Sequence, residues 1–441
     1  MMAYILLFFA ISAAFISGCG SGGRGYSSLQ TGGPFTPSMN ISNNTGDSEG
    51  PLMAFDGTGL VYATWEDKTS GQSEIYFTRS YSSNNGRISF VQPYSIHKIN
   101  SSSEESPRMS VDRYDRIHLS WLHNIPSLNS KELIYSHSLD GGVSFSYPVT
   151  LSNIDTSMVT YTMMAMDRFA NLLFAWIEDK TLYTSSSIDG GQSFSKMTAV
   201  TQKGSPARPY ATADKNGVFY LVWEDEEMND IYLARSYDSG LTFSQPRNIS
   251  VNSGSSETPW IGVHGTDAYA LWVDSTMGNR DIYIQRVSEN NKPTINISQA
   301  FPGVSEGPLA GFDGTGNINV VWEDDSSGNS EVIYAKSSDK GASFSGFHNL
   351  SNTGTPSIKP QINVSGGVIR VTWVEDVSPS NKELYLVTSQ DSGLTFTPPI
   401  NISETAGISE DAVMGVAPSG KTLWLWVEGS GNREIYYRKE E

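Results

Sequence analysis

Eight tryptophans recur at near-equal intervals along the sequence, and this period constrains the fold more than any other feature. Each tryptophan ends a strand-like run such as "LVYATW" or "IRVTW", and a second run such as "EIYFTRS" follows after a polar loop. One further run precedes this pair and another follows it, which gives four short strands in a unit of about fifty residues. The pattern is typical of the blades of a β-propeller. The tryptophans that set the register are Trp65, Trp121, Trp176, Trp223, Trp272, Trp322, Trp373 and Trp426.

Eight registers predict an all-β protein consisting of a single propeller, with eight four-stranded blades over residues 34–441. The eighth blade ends at "EIYYRKEE" and has no outer strand of its own. The segment "PFTPSMNIS" at residues 34–42 matches "TFTPPINIS" at residues 395–403, which is the outer strand of blade 7. We therefore expect the N-terminal strand to complete the last blade, because this pairing closes the ring and removes two free strand edges.

A short polar motif recurs five times between the third and fourth strands of a blade, for example "SIDGGQSF" at residues 187–194. Its glycine can adopt a positive φ, and its aspartate can accept backbone N–H groups of its own turn. The motif resembles the Asp-box, or bacterial neuraminidase repeat, of the sialidase-like propellers. That resemblance implies a structural turn on the face opposite the functional one. The matching acids are Asp140, Asp189, Asp238, Asp339 and Asp391.

The N-terminus resembles a bacterial lipoprotein signal. An apolar run at residues 4–16 is too short for a comfortable membrane span and leads into "ISGC", which resembles a lipobox although no basic residue precedes the run. The resemblance implies a signal peptide at residues 1–18 and acylation of Cys19, with an ordinary secretory signal as the alternative. Residues 19–33 are rich in Gly and Ser and predict a flexible tether. We expect a lipid-anchored protein of the bacterial cell envelope, and Gly20 resembles an outer-membrane sorting signal.

The net charge of the chain limits the classes of partner that it can bind. With 47 acidic and 29 basic residues the net charge is −18, which disfavours nucleic acid and bare anionic membranes. Membrane contact is therefore expected only through the lipid anchor. The six histidines are dispersed without metal-ligand spacing, so we expect neither a metal site nor a cofactor. An acid stands two residues after every register tryptophan except Trp121, where His123 replaces it; this position predicts a loop anchor.

The innermost strands carry the candidate site. We align them on Asp56, Asp112, Asp167, Asp214, His264, Asp313, Ser365 and Pro418. Strand alternation then directs the second and fourth residues before these positions toward the central channel. Aromatic, basic and amide groups at this level suit sugars, peptides or carboxylate ligands, although each residue alone is equally compatible with simple channel filling. The candidate ligand-binding residues are Arg108, Tyr210, Trp260 and Gln361, four residues before the reference, and Tyr161, Arg208 and Lys359, six before it at the channel mouth.

The sialidase resemblance also implies an enzyme, but its catalytic residues are not evident. That family uses three arginines, a Tyr–Glu nucleophile pair, an acid/base Asp and an Arg-Ile-Pro motif, and the tripeptide is absent from this sequence. Only Arg108 and Arg208 stand at channel positions, and sialidase domains have six blades. The leading hypothesis is a non-catalytic binding or scaffold propeller for a glycan, a peptide or an envelope protein. The alternatives are a sialidase-like glycoside hydrolase with diverged catalytic residues and an assembly supported by calcium at the acidic loops.

Overall fold

The computed structural model describes residues 35–82, 88–97, 102–153, 158–290, 292–405, 407–429 and 431–441. Eight antiparallel sheets form the blades of one propeller, which confirms the predicted fold class and blade number. The predicted signal peptide, the tether and Cys19 lie outside the described residues. Within the described ranges, no helix has the length and apolar character needed to cross a bilayer.

Blades are numbered along the chain, and the strands of each blade are numbered from the inner to the outer edge. A 3₁₀ turn, Pro126–Leu128, interrupts blade 2, and blade 1 has a divided outer edge. The strands are Ser48–Phe55, Val61–Asp67, Glu74–Ser82, Ile88–Phe90 and Tyr94–Ser95 in blade 1; Ser103–Val111, Ile117–Ile125, Ser130–Ser138 and Val149–Thr150 in blade 2; Val159–Met166, Leu172–Glu178, Thr181–Ser187 and Thr198–Ala199 in blade 3; Pro206–Ala213, Phe219–Asp225, Asp230–Ser236 and Arg247–Asn248 in blade 4; Ser256–His264, Asp267–Asp274, Asp281–Arg286 and Thr294–Asn296 in blade 5; Ser305–Phe312, Ile318–Asp324, Glu331–Ser337 and Ser345–Asn349 in blade 6; Ser357–Ser365, Val368–Ser378, Asn381–Ser389 and Ile400–Asn401 in blade 7; and Ser409–Val416, Thr422–Glu428, Glu434–Lys439 and Met39–Asn40 in blade 8.

The hydrophobic core lies between neighbouring blades. All eight register tryptophans are buried on the second strands, where alternate side chains face the two adjacent blades. One cluster joins Ala165 and Leu173 of blade 3 to Phe219 and Leu221 of blade 4, and equivalent clusters join other pairs. Because each blade is covered by its two neighbours, the ring needs every blade in place to bury its core.

The N-terminal strand closes the ring as predicted. Met39 pairs with Tyr437 on the third strand of blade 8, and the N–H of Ile41 donates to the carbonyl of Ile435 at 2.8 Å. The side chain of Ile41 is buried, and the ring of Phe35 packs edge-on against Trp424 with centroids 5.5 Å apart. The first and last described strands thus share one sheet.

The acid two residues after the tryptophan anchors the loop after the second strand. In blades 1, 3, 5, 7 and 8 the indole Nε1 donates to this carboxylate at 3.0–3.3 Å. In blades 1, 5, 6, 7 and 8 a serine hydroxyl from the start of the inner strand donates to the same carboxylate at 2.6–2.9 Å. The repeated acid is therefore an element of the fold, as its recurrence indicates.

The two faces of the ring carry different parts of the repeat. We call the face that carries the first residues of the inner strands, including Glu49 and Glu105, the mouth face. The opposite face carries the Asp-box turns. In one of these turns the Asp189 carboxylate accepts the N–H groups of Gln192 and Ser193, each at 3.0 Å. Gly191 has a φ of 86° and lies against Tyr135 of blade 2, where a Cβ atom would approach the phenol oxygen to 1.8 Å.

Every inner strand contains a β-bulge near the mouth face, which the sequence did not reveal. The register shifts once in each inner strand, and the bulged residue has a φ between 46° and 60°. Such a φ is left-handed and favours glycine, yet only two of the eight positions are glycine. The bulged residues are Gly50, Ser106, Tyr161, Arg208, Thr258, Gly307, Lys359 and Asp411.

The predicted alignment of blade 8 is wrong by one residue. Val413, not Met414, pairs with Leu425, the residue before Trp426. Ala417, not Pro418, makes the turn equivalent to that of Asp56, since its N–H donates to the carbonyl of Lys421. Blade 8 has no Asp at this turn, so the sequence lacked the residue on which most of the other blades were aligned.

Candidate functional site

The mouth face carries ion pairs that cross blade boundaries. Arg280 bonds Glu257 of its own blade at 2.6 Å and Glu306 of the next blade at 2.9 Å. Arg433 takes the same place in blade 8 and bonds Glu410 at 2.7 Å and Glu49 of blade 1 at 2.9 Å. These two arginines therefore link adjacent blades, one of them across the point where the ring closes.

Arg108 and Gln361 bind the backbone of the blade that follows. Arg108 Nε donates to the carbonyl of Thr162 at 3.2 Å, and Nη1 donates to the carbonyl of Pro107 at 2.8 Å. Burial lowers the pKa of Arg108 to about 10, against the opposing effect of the charge of Glu66. Gln361 donates to the carbonyl of Ala412 and accepts the N–H of Met414 at 2.9 Å. Both side chains therefore connect neighbouring inner strands.

Arg208 and Lys359 lie at the bulges and have acidic partners. Arg208 Nη1 bonds Glu224 at 2.7 Å and lies 3.7 Å from Glu226. Burial disfavours its charge, but the groups around it, Glu224 foremost, together outweigh this effect and raise the pKa of Arg208. The Lys359 ammonium lies 2.9 Å from Asp411 of blade 8.

Three glutamates that the sequence reasoning missed bind the bulges of the blade that follows. Each comes directly after a register tryptophan, and its carboxylate accepts the N–H of the next blade's bulged residue at 2.7–2.9 Å. Burial raises the pKa of all three, and that of Glu323 to about 7. The sequence did carry a signal for these glutamates: the position directly after the tryptophan is acidic in three blades and apolar in the other five. The residues are Glu66, Glu224 and Glu323.

The rings of Tyr210 and Trp260 lie close together, but they contribute to the packing between blades 4 and 5. Their ring centroids are 6.2 Å apart, and the indole also stacks on Phe312 at 6.5 Å. Trp260 covers Gly262 so closely that a Cβ there would lie 2.1 Å from the indole. Burial raises the pKa of Tyr210. Among the described residues, no hydrogen bond, ion pair or ring contact joins either residue to Arg108, so the predicted cluster is divided.

Tyr161 is the predicted site residue that remains available to a ligand. Its φ is 47°, and 42% of its surface is exposed on the mouth face. It stands at the bulge of blade 3, the position that Arg208 occupies in blade 4. An exposed aromatic ring and the ion pair of Arg208 with Glu224 thus stand on neighbouring blades of the mouth face.

The histidines are less dispersed than the sequence suggested. The structure brings His97 and His123 within hydrogen-bond distance of the same Glu104 carboxylate oxygen in blade 2. In the sequence, only the replacement of the usual acid by His123 marked the place.

Comparison with known proteins supports the fold. No protein-family model and no curated protein matches the sequence. The polysaccharide lyase Uly1 is 10% identical with a TM-score of 0.50, and the match covers 98% of this chain and 94% of the lyase. A protein of unknown function from Dyadobacter fermentans DSM 18053 is 13% identical with a TM-score of 0.45, covering 92% and 97%. A point mutant of the NanB sialidase from Streptococcus pneumoniae is 10% identical with a TM-score of 0.41, and the match covers 93% of this chain and 98% of the sialidase.

The arrangement of the blades itself defines the class of protein. The chain is a β-propeller that is structurally similar, at low identity, to sialidases and to PL25 ulvan lyases. Identities of 10–13% relate the folds and carry no residue roles from one protein to the other.

Proposed function

We propose that this chain is a non-catalytic binding propeller of the bacterial cell envelope, with its mouth face as the ligand-binding surface. One observation supports this more than any other. The cationic and amide side chains predicted in the channel and at its mouth are all bound within the protein. Arg108 and Gln361 bind backbone carbonyls, while Arg208 and Lys359 bind carboxylates.

This arrangement argues against the sialidase-like alternative. Recognition of a substrate carboxylate by arginines requires guanidinium groups that are free to form bidentate hydrogen bonds. Arg108 is committed to two backbone carbonyls, and Arg208 would have to leave Glu224. Lys359 cannot supply a planar bidentate contact. These residues therefore do not form the preorganised cationic cluster that such hydrolysis needs.

The exposed ring of Tyr161 indicates the kind of ligand. An aromatic face covers the C–H face of a sugar, while adjacent charged groups bind its hydroxyls. On the next blade, Arg208, Glu224 and the half-exposed Glu226 supply donors and acceptors on the same face. We infer that the ligand is a glycan without dense negative charge, since the net charge of −18 repels polyanions.

A glycan-binding assay with matched variants tests the proposal. Purified protein is screened against neutral, sialylated and uronate-containing glycans, and both bound ligand and released products are measured. We expect saturable binding without product, weakened at least about tenfold by Tyr161→Ala. Tyr237→Ala is the matched control, because Tyr237 is 70% exposed on the Asp-box turn of blade 4, on the opposite face. Equal losses in both variants, or release of sugar by the native protein, would contradict the proposal.

The envelope location is tested separately. We propose that Cys19 carries the lipid anchor, so Cys19→Ser should move the protein from the membrane fraction to the soluble envelope fraction. An unchanged distribution would refute the anchor and leave the ligand-binding proposal intact.

A further inference from the structure

Three residues at the junction of blades 1 and 2 differ from their equivalents in the other blades. In the other seven blades, a Ser or Thr hydroxyl after the outer strand accepts a backbone N–H of the third strand at 2.8–3.0 Å. In blade 1 His97 occupies this place. The hydroxyl residues elsewhere are Ser42, Ser152, Thr201, Ser250, Ser298, Ser351 and Ser403.

The other two departures lie opposite each other in blade 2. Glu104 stands near the start of the inner strand where five blades have a serine, and it pairs with His123 on the second strand. His123 replaces the acid that anchors the loop in the seven other blades. The acid thus stands on the inner strand instead of the second strand, and Trp121 Nε1 is buried with no hydrogen-bond partner in the part of the chain that the structure describes.

The three side chains converge on one point. His97 Nδ1 lies 2.9 Å and His123 Nδ1 lies 3.1 Å from Glu104 Oε1, and the ligand atoms all lie within 4.8 Å of one another. The Glu104 side chain is 2% exposed, and its second oxygen, Oε2, is buried and has no hydrogen-bond partner among the described residues. A buried carboxylate oxygen with no donor is costly, so the cluster is incomplete as it stands.

We propose that His97, Glu104 and His123 bind a divalent transition-metal ion, with zinc as the best fit. Two imidazoles and one carboxylate are a donor set that zinc prefers, whereas calcium and magnesium prefer oxygen ligands alone. Metal–ligand bonds of about 2.0–2.1 Å in a tetrahedron place the ligand atoms roughly 3.3 Å apart, only slightly more than the two distances to Glu104. The side chain of His97 is 16% exposed, which lets a water molecule complete the coordination.

The ion links two blades. His97 follows the outer edge of blade 1, while Glu104 and His123 belong to the inner and second strands of blade 2. Binding to the folded state alone stabilises it in proportion to the logarithm of the metal concentration over Kd. The site is therefore a structural clamp between blades 1 and 2, and it shares no residue with the ligand site proposed at Tyr161.

The test uses the full chain, stripped of metal with a chelator and titrated with Zn²⁺, Co²⁺ or Ca²⁺. We expect one Zn²⁺ per chain, a rise of a few degrees in Tm, and a visible Co²⁺ spectrum typical of four-coordination. His348→Ala, which removes a histidine from the outer strand of blade 6, should change none of these.

The decisive variant combines His97→Ser, Glu104→Ser and His123→Asp, because it restores the groups found in the other blades and should fold. It should bind Zn²⁺ at least about a hundredfold more weakly, and His97→Ser alone at least about tenfold more weakly. Absence of Zn²⁺ binding by the native protein, unchanged binding by the triple variant, or an equal Tm rise with Ca²⁺ would each overturn the assignment.

Discussion

Closure of the ring by the N-terminal strand predicts that Ile41 is as important for stability as a core residue of an internal blade. Ile402 is the matched position: both residues stand in the sequence Asn-Ile-Ser, both side chains are buried, and both N–H groups donate to the third strand at 2.7–2.8 Å. Ile→Ala removes about three buried carbons, at ~0.8 kcal/mol each for transfer from water. The cavity raises the expected cost to about 2–5 kcal/mol at either site.

Chemical denaturation followed by tryptophan fluorescence measures this cost. Ile41→Ala and Ile402→Ala should lower the free energy of unfolding by similar amounts, within ~1 kcal/mol. A loss below ~0.5 kcal/mol for Ile41→Ala, beside a full loss for Ile402→Ala, would show that the N-terminal strand is not docked in solution.

Two further predictions concern charge. Glu323 has a pKa raised to about 7, so its ionisation costs stability progressively as pH rises from about 4.5 to 7, by at most ~3 kcal/mol. Glu323→Gln should therefore gain stability relative to the native protein between about pH 5 and pH 8 in urea unfolding, and an unchanged difference at the two pH values would disprove this. Arg433→Met leaves Glu49 and Glu410 without their shared partner and should cost about 1 kcal/mol at low salt, less at about 0.5 M NaCl. Arg280→Met should behave alike, and a loss insensitive to salt in both variants would show that the ion pairs do not matter.

The blade register could be predicted from the sequence because buried tryptophans and tight turns tolerate few alternatives. The near-equal spacing of the repeat was enough to place Trp65 and its seven equivalents on second strands. Where the marker residue was missing, at Ala417 in blade 8, the alignment slipped by one position.

The hydrogen-bond partners of the channel residues could not be predicted from the sequence, because they depend on which atoms lie across a blade boundary. Sequence periodicity indicates that Arg108 and Gln361 face the channel side of their strands, but not that each binds the backbone of the following blade. Nor does it place His97 beside His123, since the strand that carries Glu104 lies between them in the chain. Both relations come from the closed ring rather than from local pattern.

The most direct test of the proposed function is a crystal structure of the protein with a glycan identified by the binding screen. We expect intact ligand on the mouth face, in contact with Tyr161, with the Arg208–Glu224 ion pair retained. Ligand on the Asp-box face, or a cleaved or covalently bound sugar at the mouth, would contradict the proposed function.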